Sequence, residues 1–251
     1  RDDNTCNPPH TLRSILEMPR KRKVRSRLTR WPRYLALAIV CVVLVTVALV
    51  LPLRWFAPAT SAFMLQDKSG RVPVAYQWTN REQLGNTLPL AVIAAEDQKF
   101  TRHSGFDLAS IRDSVADYKD GDGLRGASTI TQQLAKNLYL WPGRNFVRKG
   151  LEAWLTVFIE VCLPKKRILE IYLNIIELAP GTYGAAAASQ HFFGKPPAAL
   201  SDAEAALLAA VLPNPKRLNA GRPSAYVRER ASWIQTQMAR LRREGWLQSL
   251  E

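Results

Sequence analysis

Residues 94–107 read AAEDQKFTRHSGFD, and residues 126–137 read GASTITQQLAKN. The first stretch ends a short apolar run with two adjacent carboxylates, Glu96 and Asp97, which His103 follows. Because burying such groups is costly without a compensating role, they are candidates for an acid or base with a shifted pKa. The second stretch supplies hydroxyls, amides and the cation of Lys136, a set suited to binding sugar hydroxyls and phosphate oxygens.

Two further motifs follow in order, RKGLE at residues 148–152 and KRILEIYLN at residues 166–174. Together with the two polar stretches, they resemble the peptidoglycan glycosyltransferases, glycosyltransferase family 51, from about Leu88 to Leu241. The resemblance implies a mainly α fold: a lysozyme-like helical glycosyltransferase domain with a small membrane-proximal lobe, preceded by one transmembrane helix. It also implies an inverting enzyme that polymerises lipid II into β-1,4-linked glycan strands and releases undecaprenyl diphosphate.

One long apolar segment, Tyr34–Leu53, contains no charged residue and is bracketed by Arg33 and Arg54. Its length is about that of a bilayer core, so it predicts a transmembrane helix. A buried core helix is the alternative, whereas a cleavable signal peptide would have a shorter apolar core and a small-residue cleavage site. Eight basic residues and no acid lie between Arg20 and Arg33, which by the positive-inside rule predicts a cytoplasmic N-terminus.

We therefore predict a basic cytoplasmic tail at residues 1–33, a transmembrane helix at 34–53, a membrane-proximal connector at 54–80 and a glycosyltransferase domain at 81–247. The expected location is the bacterial inner (cytoplasmic) membrane, crossed once, with the catalytic domain in the periplasm. The net charge of +14 is divided equally between residues 1–33 and the remainder. Beside a membrane span, the basic tail indicates attraction to anionic lipid headgroups rather than to nucleic acid.

The expected partners are lipid II, the lipid-linked glycan chain and the membrane, with proteins of cell division or elongation as further candidates. The basic outer region suits an anionic membrane surface and diphosphate substrates. Three cysteines, Cys6, Cys41 and Cys162, do not predict a disulfide framework.

Beyond the connector, apolar residues recur at three- and four-residue steps between Gly and Pro, which predicts helices. One short strand is predicted at Arg71–Trp78, and Ser201 with Glu204 fits a capping box. Residues 172–174 and 181–195 are expected to maintain the fold rather than to perform chemistry. The predicted helices are Leu88–Asp97, Asp107–Asp117, Ser128–Leu140, Arg144–Leu163, Lys165–Leu178, Tyr183–Phe193, Ser201–Leu212 and Pro223–Leu247.

Glu96 is the first candidate for catalysis, since two acids at a helix C-terminus are electrostatically unfavourable without a compensating purpose. The alternative is a surface acid paired with Lys99 or Arg102. The resemblance places the family's catalytic glutamate on Glu96, as the base that deprotonates the acceptor sugar's 4-hydroxyl. It also places three substrate-binding or orienting groups beside it: Asp97, Phe100 and His103. A lone histidine is, however, more often a structural hydrogen-bonding residue.

A polar stripe follows the predicted helix from Ser128, because positions at steps of four and seven residues share one helix face. A solvated face is the alternative, although such a face usually carries more charge. The resemblance implies that this stripe lines the donor site, with Lys136 on the diphosphate. The residues expected to bind substrate are Ser128, Thr129, Gln133, Lys136, Asn137, Arg144, Arg148 and Lys149.

Glu152 lies four residues after Arg148, so an ordinary ion pair along one helix is the alternative to a functional role. The resemblance places the family's second catalytic acid on Glu152. There it would position either the leaving group or a divalent cation, Mg²⁺ or Mn²⁺; no organic cofactor is expected.

No Ser-x-x-Lys or Lys-Thr-Gly sequence occurs in the 251 residues, so we expect no transpeptidase activity from this chain. Two other functions stay open. A lytic transglycosylase or lysozyme-like hydrolase has no need for the cations of Lys136, Arg148 and Lys149. The presence of both Glu96 and Glu152 argues against a catalytically silent, membrane-anchored cell-wall scaffold.

Overall fold

The computed structural model describes residues 31–70, 73–110, 112, 128–143 and 145–246. By its internal contacts the chain divides into two units, Arg1–Leu44 and Val45–Glu251, so the boundary lies inside the first helix. The predicted basic tail lies outside the described residues up to residue 30.

Helices make up most of the described chain, which confirms the predicted mainly α class. In chain order they are α1 Trp31–Val50, α2 Ala62–Leu65, α3 Arg81–Leu84, α4 Thr87–Glu96, α5 Ile130–Tyr139, α6 Phe146–Cys162, α7 Lys165–Ile175, α8 Ala185–Phe193, α9 Asp202–Ala210 and α10 Ala225–Arg243. Two 3-10 helices lie at Leu51–Arg54 and Pro197–Ala199. Residues 108–110 and 112 are also helical, while residues 111 and 113–117 of the helix predicted there lie outside the described residues.

The apolar segment Trp31–Arg54 is long enough to cross a membrane. No Gly interrupts it, and Pro52 stands in the first turn of the 3-10 helix, where it costs no helical hydrogen bond. Every side chain from Trp31 to Leu44 is exposed except Val43, which is half-buried. A helix that is apolar on all sides and unburied is typical of a membrane span.

The core of the second unit surrounds α4. All residues from Leu88 to Ala94 are buried, because this helix is apolar on every face and packs against both α9 and α10. Helix α5 packs against α6 and α7 through Ile130, Leu134 and Leu138, the apolar stripe that its sequence predicts. This packing fixes the C-terminus of α4 beside the polar face of α5.

The predicted helices Lys165–Leu178 and Tyr183–Phe193 need correction, because strands replace the last residues of the first helix and the first residue of the second. Strands β2 Glu177–Ala179 and β3 Thr182–Tyr183 pair antiparallel, and β3 pairs in parallel with β1 Ala75–Tyr76. The chain reverses at Pro180-Gly181, with Gly181 at a φ of 66°. Gly184 has a φ of 86° and lies against the Asn174 carbonyl, so a side chain there would be both strained and blocked.

The connector packs into the second unit rather than standing apart from it. Met64 is buried, and the Tyr76 hydroxyl donates a 2.8 Å hydrogen bond to the carbonyl of Pro58. The Asn174 side chain accepts a hydrogen bond from the backbone N–H of Thr79 and donates one to its carbonyl. These contacts explain how Asn174 maintains the fold, as predicted.

Side-chain caps determine where several helices begin. Ser201 and Glu204 form the predicted capping box at the start of α9. A second capping box, between Thr129 and Gln132, starts α5 two residues later than predicted. Ser224 caps α10 by accepting a hydrogen bond from the backbone N–H of Val227.

Candidate active site

The site forms where α4 ends against α5 and α10. Glu96 is the last residue of α4, and 14% of its side-chain surface stays exposed. Its Oε2 accepts a 2.9 Å hydrogen bond from Nε2 of Gln133 on α5, and its Oε1 lies 3.3 Å from Nη2 of Arg230 on α10. The carboxylate is therefore held by two helices while part of it remains accessible to a ligand.

A chain of hydrogen bonds fixes the orientation of Gln133. The Tyr172 hydroxyl donates to Oε1 of Gln133 at 2.7 Å, so the amide NH₂ of Gln133 faces Glu96. Burial raises the pKa of Tyr172 well above its ordinary value, so this hydroxyl stays a donor. Glu96 thereby receives a hydrogen bond that favours its carboxylate form.

Burial raises the pKa of Glu96, and the hydrogen bond from Gln133 and the charges of Arg230 and Lys136 oppose that rise. A carboxylate whose pKa is raised toward the working pH is the kind of base that takes a proton from a hydroxyl. The environment of Glu96 thus combines a burial penalty on the charged form with fixed donors that favour the carboxylate.

Asp97 caps the next helix of the site. Its Oδ2 accepts a 3.0 Å hydrogen bond from the backbone N–H of Ile130 at the start of α5, and its Oδ1 lies 2.9 Å from Nε2 of His103. The positive end of the α5 dipole favours a carboxylate at this point. The electrostatic compensation expected for two adjacent acids is therefore present for Asp97, and Asp97 and His103 join α4 to α5.

Two residues predicted to bind substrate, Phe100 and Thr129, make contacts that support the fold of the site. Phe100 is completely buried, with Nζ of Lys165 located 4.5 Å from its ring centroid. The hydroxyl of Thr129 accepts from the backbone N–H of Gln132 and donates to the carbonyl of Gly105 at 2.7 Å. Phe100 therefore has no exposed surface for a ligand, whereas Thr129, although its hydroxyl is used in capping, also lines the cleft beside Glu96.

Glu152 anchors a cluster of cations on α6. Its buried carboxylate accepts a 2.6 Å hydrogen bond from Nη1 of Arg148 and a 2.5 Å hydrogen bond from Nζ of Lys149. The same Nζ lies 3.4 Å from the hydroxyl of Ser128, just before α5. The pair between Arg148 and Glu152 expected from their spacing is present, and it belongs to a larger network.

Lys136 on α5 adds a third cation to this cluster. Its Nζ lies 5.7 Å from the Phe63 ring centroid, and it forms no ion pair with a carboxylate among the described residues. Burial lowers the pKa of Lys136, the charge of Glu152 raises it, and those of Arg148 and Lys149 lower it further. Three cations beside one carboxylate leave an excess of positive charge, which suits an anionic group such as a diphosphate.

A cleft of about 280 Å³ opens beside Glu96. The polar residues that line it include Gln98, Lys99, Asp107, Ser110 and Ser128. Asn137 lies on α5 next to Lys136 and is nearly buried. Arg144, which was also predicted to bind substrate, lies outside the described residues.

The residues do not fit a divalent cation held by the protein at Glu152. Both oxygens of Glu152 already accept from cationic donors, which would repel a metal ion. Within the described ranges, no group of three or more His, Cys, Asp or Glu side chains could ligate a metal. The chemistry of the site is therefore derived from its side chains.

Sequence reasoning missed two members of the site, Arg230 and Tyr172. Arg230 lies 134 residues from its partner Glu96, and its surroundings in the sequence contain several similar arginines. The surface pair proposed as an alternative for Glu96 is wrong. Its candidate partners bind other acids: Lys99 lies 3.3 Å from Asp107, and Arg102 lies 3.5 Å from Glu244.

Comparison with known proteins gives a consistent result. A family model described as Transglycosylase matches residues 67–239. The biosynthetic peptidoglycan transglycosylase of Stutzerimonas stutzeri (strain A1501) is 49% identical over 212 residues, covering 82% of this chain and 88% of the relative. Its counterpart in Shewanella frigidimarina (strain NCIMB 400) is 53% identical over 188 residues, which cover 75% of this chain and 82% of the relative. That of Chromohalobacter salexigens is 47% identical over 232 residues, which cover 90% of this chain and 99% of the relative.

Proposed function

The chain belongs to the transglycosylase family, and from this premise we propose that it polymerises lipid II into β-1,4-linked glycan strands, with Glu96 as the general base. The protein is a peptidoglycan glycosyltransferase. The observation that carries the finer proposal is the juxtaposition of a half-buried carboxylate with a cluster of cations on α5 and α6. The carboxylate can take a proton, and the cations can hold a diphosphate leaving group.

The proposed reaction is a single displacement at the anomeric carbon of the donor. Glu96 takes the proton of the acceptor sugar's 4-hydroxyl while that oxygen forms a bond to the donor carbon. The bond from this carbon to the diphosphate oxygen breaks, and undecaprenyl diphosphate leaves with the electron pair. One displacement inverts the α-linked diphosphate to a β-1,4 bond, as in inverting glycosidases where a carboxylate activates water. Glu96 then returns its proton to water.

The cation cluster would stabilise the charge that develops on the leaving group. Among the described residues, Lys136 forms no ion pair with a carboxylate, whereas Arg148 and Lys149 are held in place by Glu152. Fixed charges aimed at developing negative charge lower an activation barrier because they need no reorganisation during the reaction. In this proposal Glu152 holds Arg148 and Lys149 in position, and these two side chains contact the diphosphate.

The experiment that tests the proposal uses the purified full chain in detergent micelles with lipid II as the sole substrate. We expect glycan strands to lengthen, with one undecaprenyl diphosphate released for each bond formed. Lipid II that lacks the acceptor 4-hydroxyl should give no polymer, because Glu96 has no proton to remove. Cleavage of preformed glycan strands without synthesis would instead support the hydrolase alternative.

The N-terminal apolar helix is a membrane anchor, and we propose that it lies in the bacterial inner membrane with residues beyond Arg54 in the periplasm. Support comes from α6, which exposes an apolar face formed by Val147, Leu151, Trp154, Val157 and Val161. The indole N–H of Trp154 donates a 3.0 Å hydrogen bond to the hydroxyl of Thr46, near the end of α1. An exposed apolar face of this kind suits contact with the bilayer surface, where lipid-linked substrates lie.

Fusion reporters test this orientation. We expect a reporter that is active only in the periplasm to work when fused after Glu251 and to stay silent when fused before Arg20, because basic residues are retained on the cytoplasmic side. A cytoplasmic reporter at the same two positions is the control and should give the opposite pattern. Periplasmic activity at the N-terminal fusion would contradict the proposed orientation.

A further inference from the structure

A second cleft, of about 330 Å³, lies on α10 and is lined by Tyr226, Glu229, Arg230 and Trp233. Tyr226 is 54% exposed and Trp233 is 46% exposed. Residues seven apart share one helix face and lie about 10 Å apart along the axis, so the two rings form one surface. Single exposed aromatic residues are common, but a pair that flanks two charged groups in a cleft is typical of a ligand site.

This aromatic cleft adjoins the proposed catalytic base. Arg230 lines the cleft and also lies 3.3 Å from Oε1 of Glu96. The other oxygen of Glu96 faces Gln133 on α5, the helix that also carries Lys136. Helix α10, which carries the aromatic cleft, and helix α5, which carries Lys136, therefore contact the same carboxylate from two directions.

The chemistry of the cleft matches a sugar. Pyranose rings have apolar C–H faces that pack on aromatic side chains, while their hydroxyl and acetamido groups need hydrogen-bonding partners at the edge. Tyr226 and Trp233 offer the apolar surface, and Glu229 and Arg230 offer an acceptor and donors between them. The spacing of the two rings is comparable to the length of a β-1,4-linked disaccharide.

We propose that Tyr226 and Trp233 form a stacking platform for the amino-sugar disaccharide of the acceptor. This inference rests on the proposed function, in which the donor's diphosphate lies at Lys136, Arg148 and Lys149. An attacking oxygen approaches the anomeric carbon on the face opposite the leaving group. The acceptor sugar therefore approaches Glu96 from the side away from the cations, which is the side of α10.

The test separates acceptor from donor, since lipid II serves as both. An analogue of lipid II in which a non-leaving phosphonate replaces the sugar-phosphate linkage can act only as acceptor, and a preformed lipid-linked glycan supplies the donor. Trp233→Ala and Tyr226→Ala should each raise the KM for this acceptor roughly tenfold, equivalent to about 1.4 kcal/mol. The value of kcat should change by less than about twofold, because the groups that perform the chemistry remain.

Two variants control for effects on folding and charge. Trp233→Phe keeps an aromatic face and should retain most of the affinity for the acceptor. Arg228→Ala removes an exposed side chain of the same helix that lies outside the cleft, and it should leave the acceptor KM unchanged. Binding of moenomycin, a phosphoglycolipid that probes the donor site, should be the same in all four variants.

Three results would contradict the proposal that Tyr226 and Trp233 form a stacking platform. Unchanged acceptor KM in both alanine variants would show that the aromatic surface does not bind the acceptor. A raised KM for the glycan donor alone would assign the cleft to the growing chain, and an equal loss in Trp233→Phe would indicate a structural role. The proposed function stands in each of these cases as long as the wild-type protein forms glycan; failure of the wild-type protein to do so would reject that function instead.

Discussion

Glu96→Gln should reduce lipid II polymerisation by about 10²- to 10⁴-fold, the usual loss when a general base is removed. The amide has nearly the same shape as the carboxylate and can still contact Gln133 and Arg230, but it cannot take a proton from the acceptor hydroxyl. The loss should therefore appear in kcat, while moenomycin should bind as it does to the wild-type protein. Single-turnover polymerisation with purified protein is the measurement.

Glu177→Gln is the matched control for this substitution. Glu177 is also a partly buried glutamate whose pKa burial raises, and its nearest cation is Lys216 at 3.7 Å, away from the site. Its replacement should leave polymerisation within about twofold of the wild-type rate, because its ion pair with Lys216 involves no residue of the site. Near wild-type synthesis by the Glu96→Gln protein would remove Glu96 from its proposed role.

The dependence of rate on pH follows from the direction of the Glu96 shift. Because burial raises the pKa of Glu96, kcat/KM should fall on acidification at a higher pH than an ordinary glutamate would give. The folded protein binds this proton more tightly than the unfolded chain does. Glu96 therefore favours folding at low pH, and this contribution is lost as the pH rises through its raised pKa. Arg230→Gln removes a charge that opposes the shift, so the acid limb should move to still higher pH.

Local patterns in the sequence were sufficient to make Glu96 and Lys136 candidates. Glu96 stands among adjacent acids at the end of an apolar run and Lys136 in a polar stripe with helical spacing, and the resemblance supplies the role expected of each. The residues that affect the pKa and the orientation of Glu96 cannot be predicted from local patterns. Arg230 reaches it from α10, and Tyr172 acts through Gln133, so only the tertiary packing of α4, α5, α7 and α10 brings them together.

The difference between local sequence patterns and tertiary packing also explains the errors in the predicted fold. Helices α5 to α7 have strong apolar periodicity and α4 is a continuous apolar run, and the predicted bounds of all four lie within a few residues of those observed. Strands β2 and β3 contain five residues in total, too few for an alternating pattern to outweigh the helices on either side. Phe100 was assigned to substrate because its neighbours suit that role; only its complete burial reveals that its side chain belongs to the interior.

Lys136→Ala should lower kcat/KM for the lipid-linked donor by about 10- to 100-fold, since a hydrogen bond to a charged group contributes about 1.5–3 kcal/mol. The reason lies in how the cations are paired. Glu152 neutralises part of the charge of Arg148 and Lys149, whereas Lys136 has no carboxylate partner among the described residues, so its charge is free for the diphosphate. Moenomycin affinity should fall together with kcat/KM, because both depend on the same anionic group.

Lys216→Ala is the matched control for Lys136→Ala. Lys216 is an exposed lysine paired with Glu177, and its loss should leave both donor use and moenomycin binding unchanged. Lys136→Arg should restore little activity, because a planar guanidinium differs in size and hydrogen-bonding geometry from the compact ammonium group at this half-buried position. An alanine variant with wild-type turnover and inhibitor affinity would show that Lys136 belongs to a solvated helix face. In that case Arg148 and Lys149, already paired with Glu152, would have to hold the diphosphate without it.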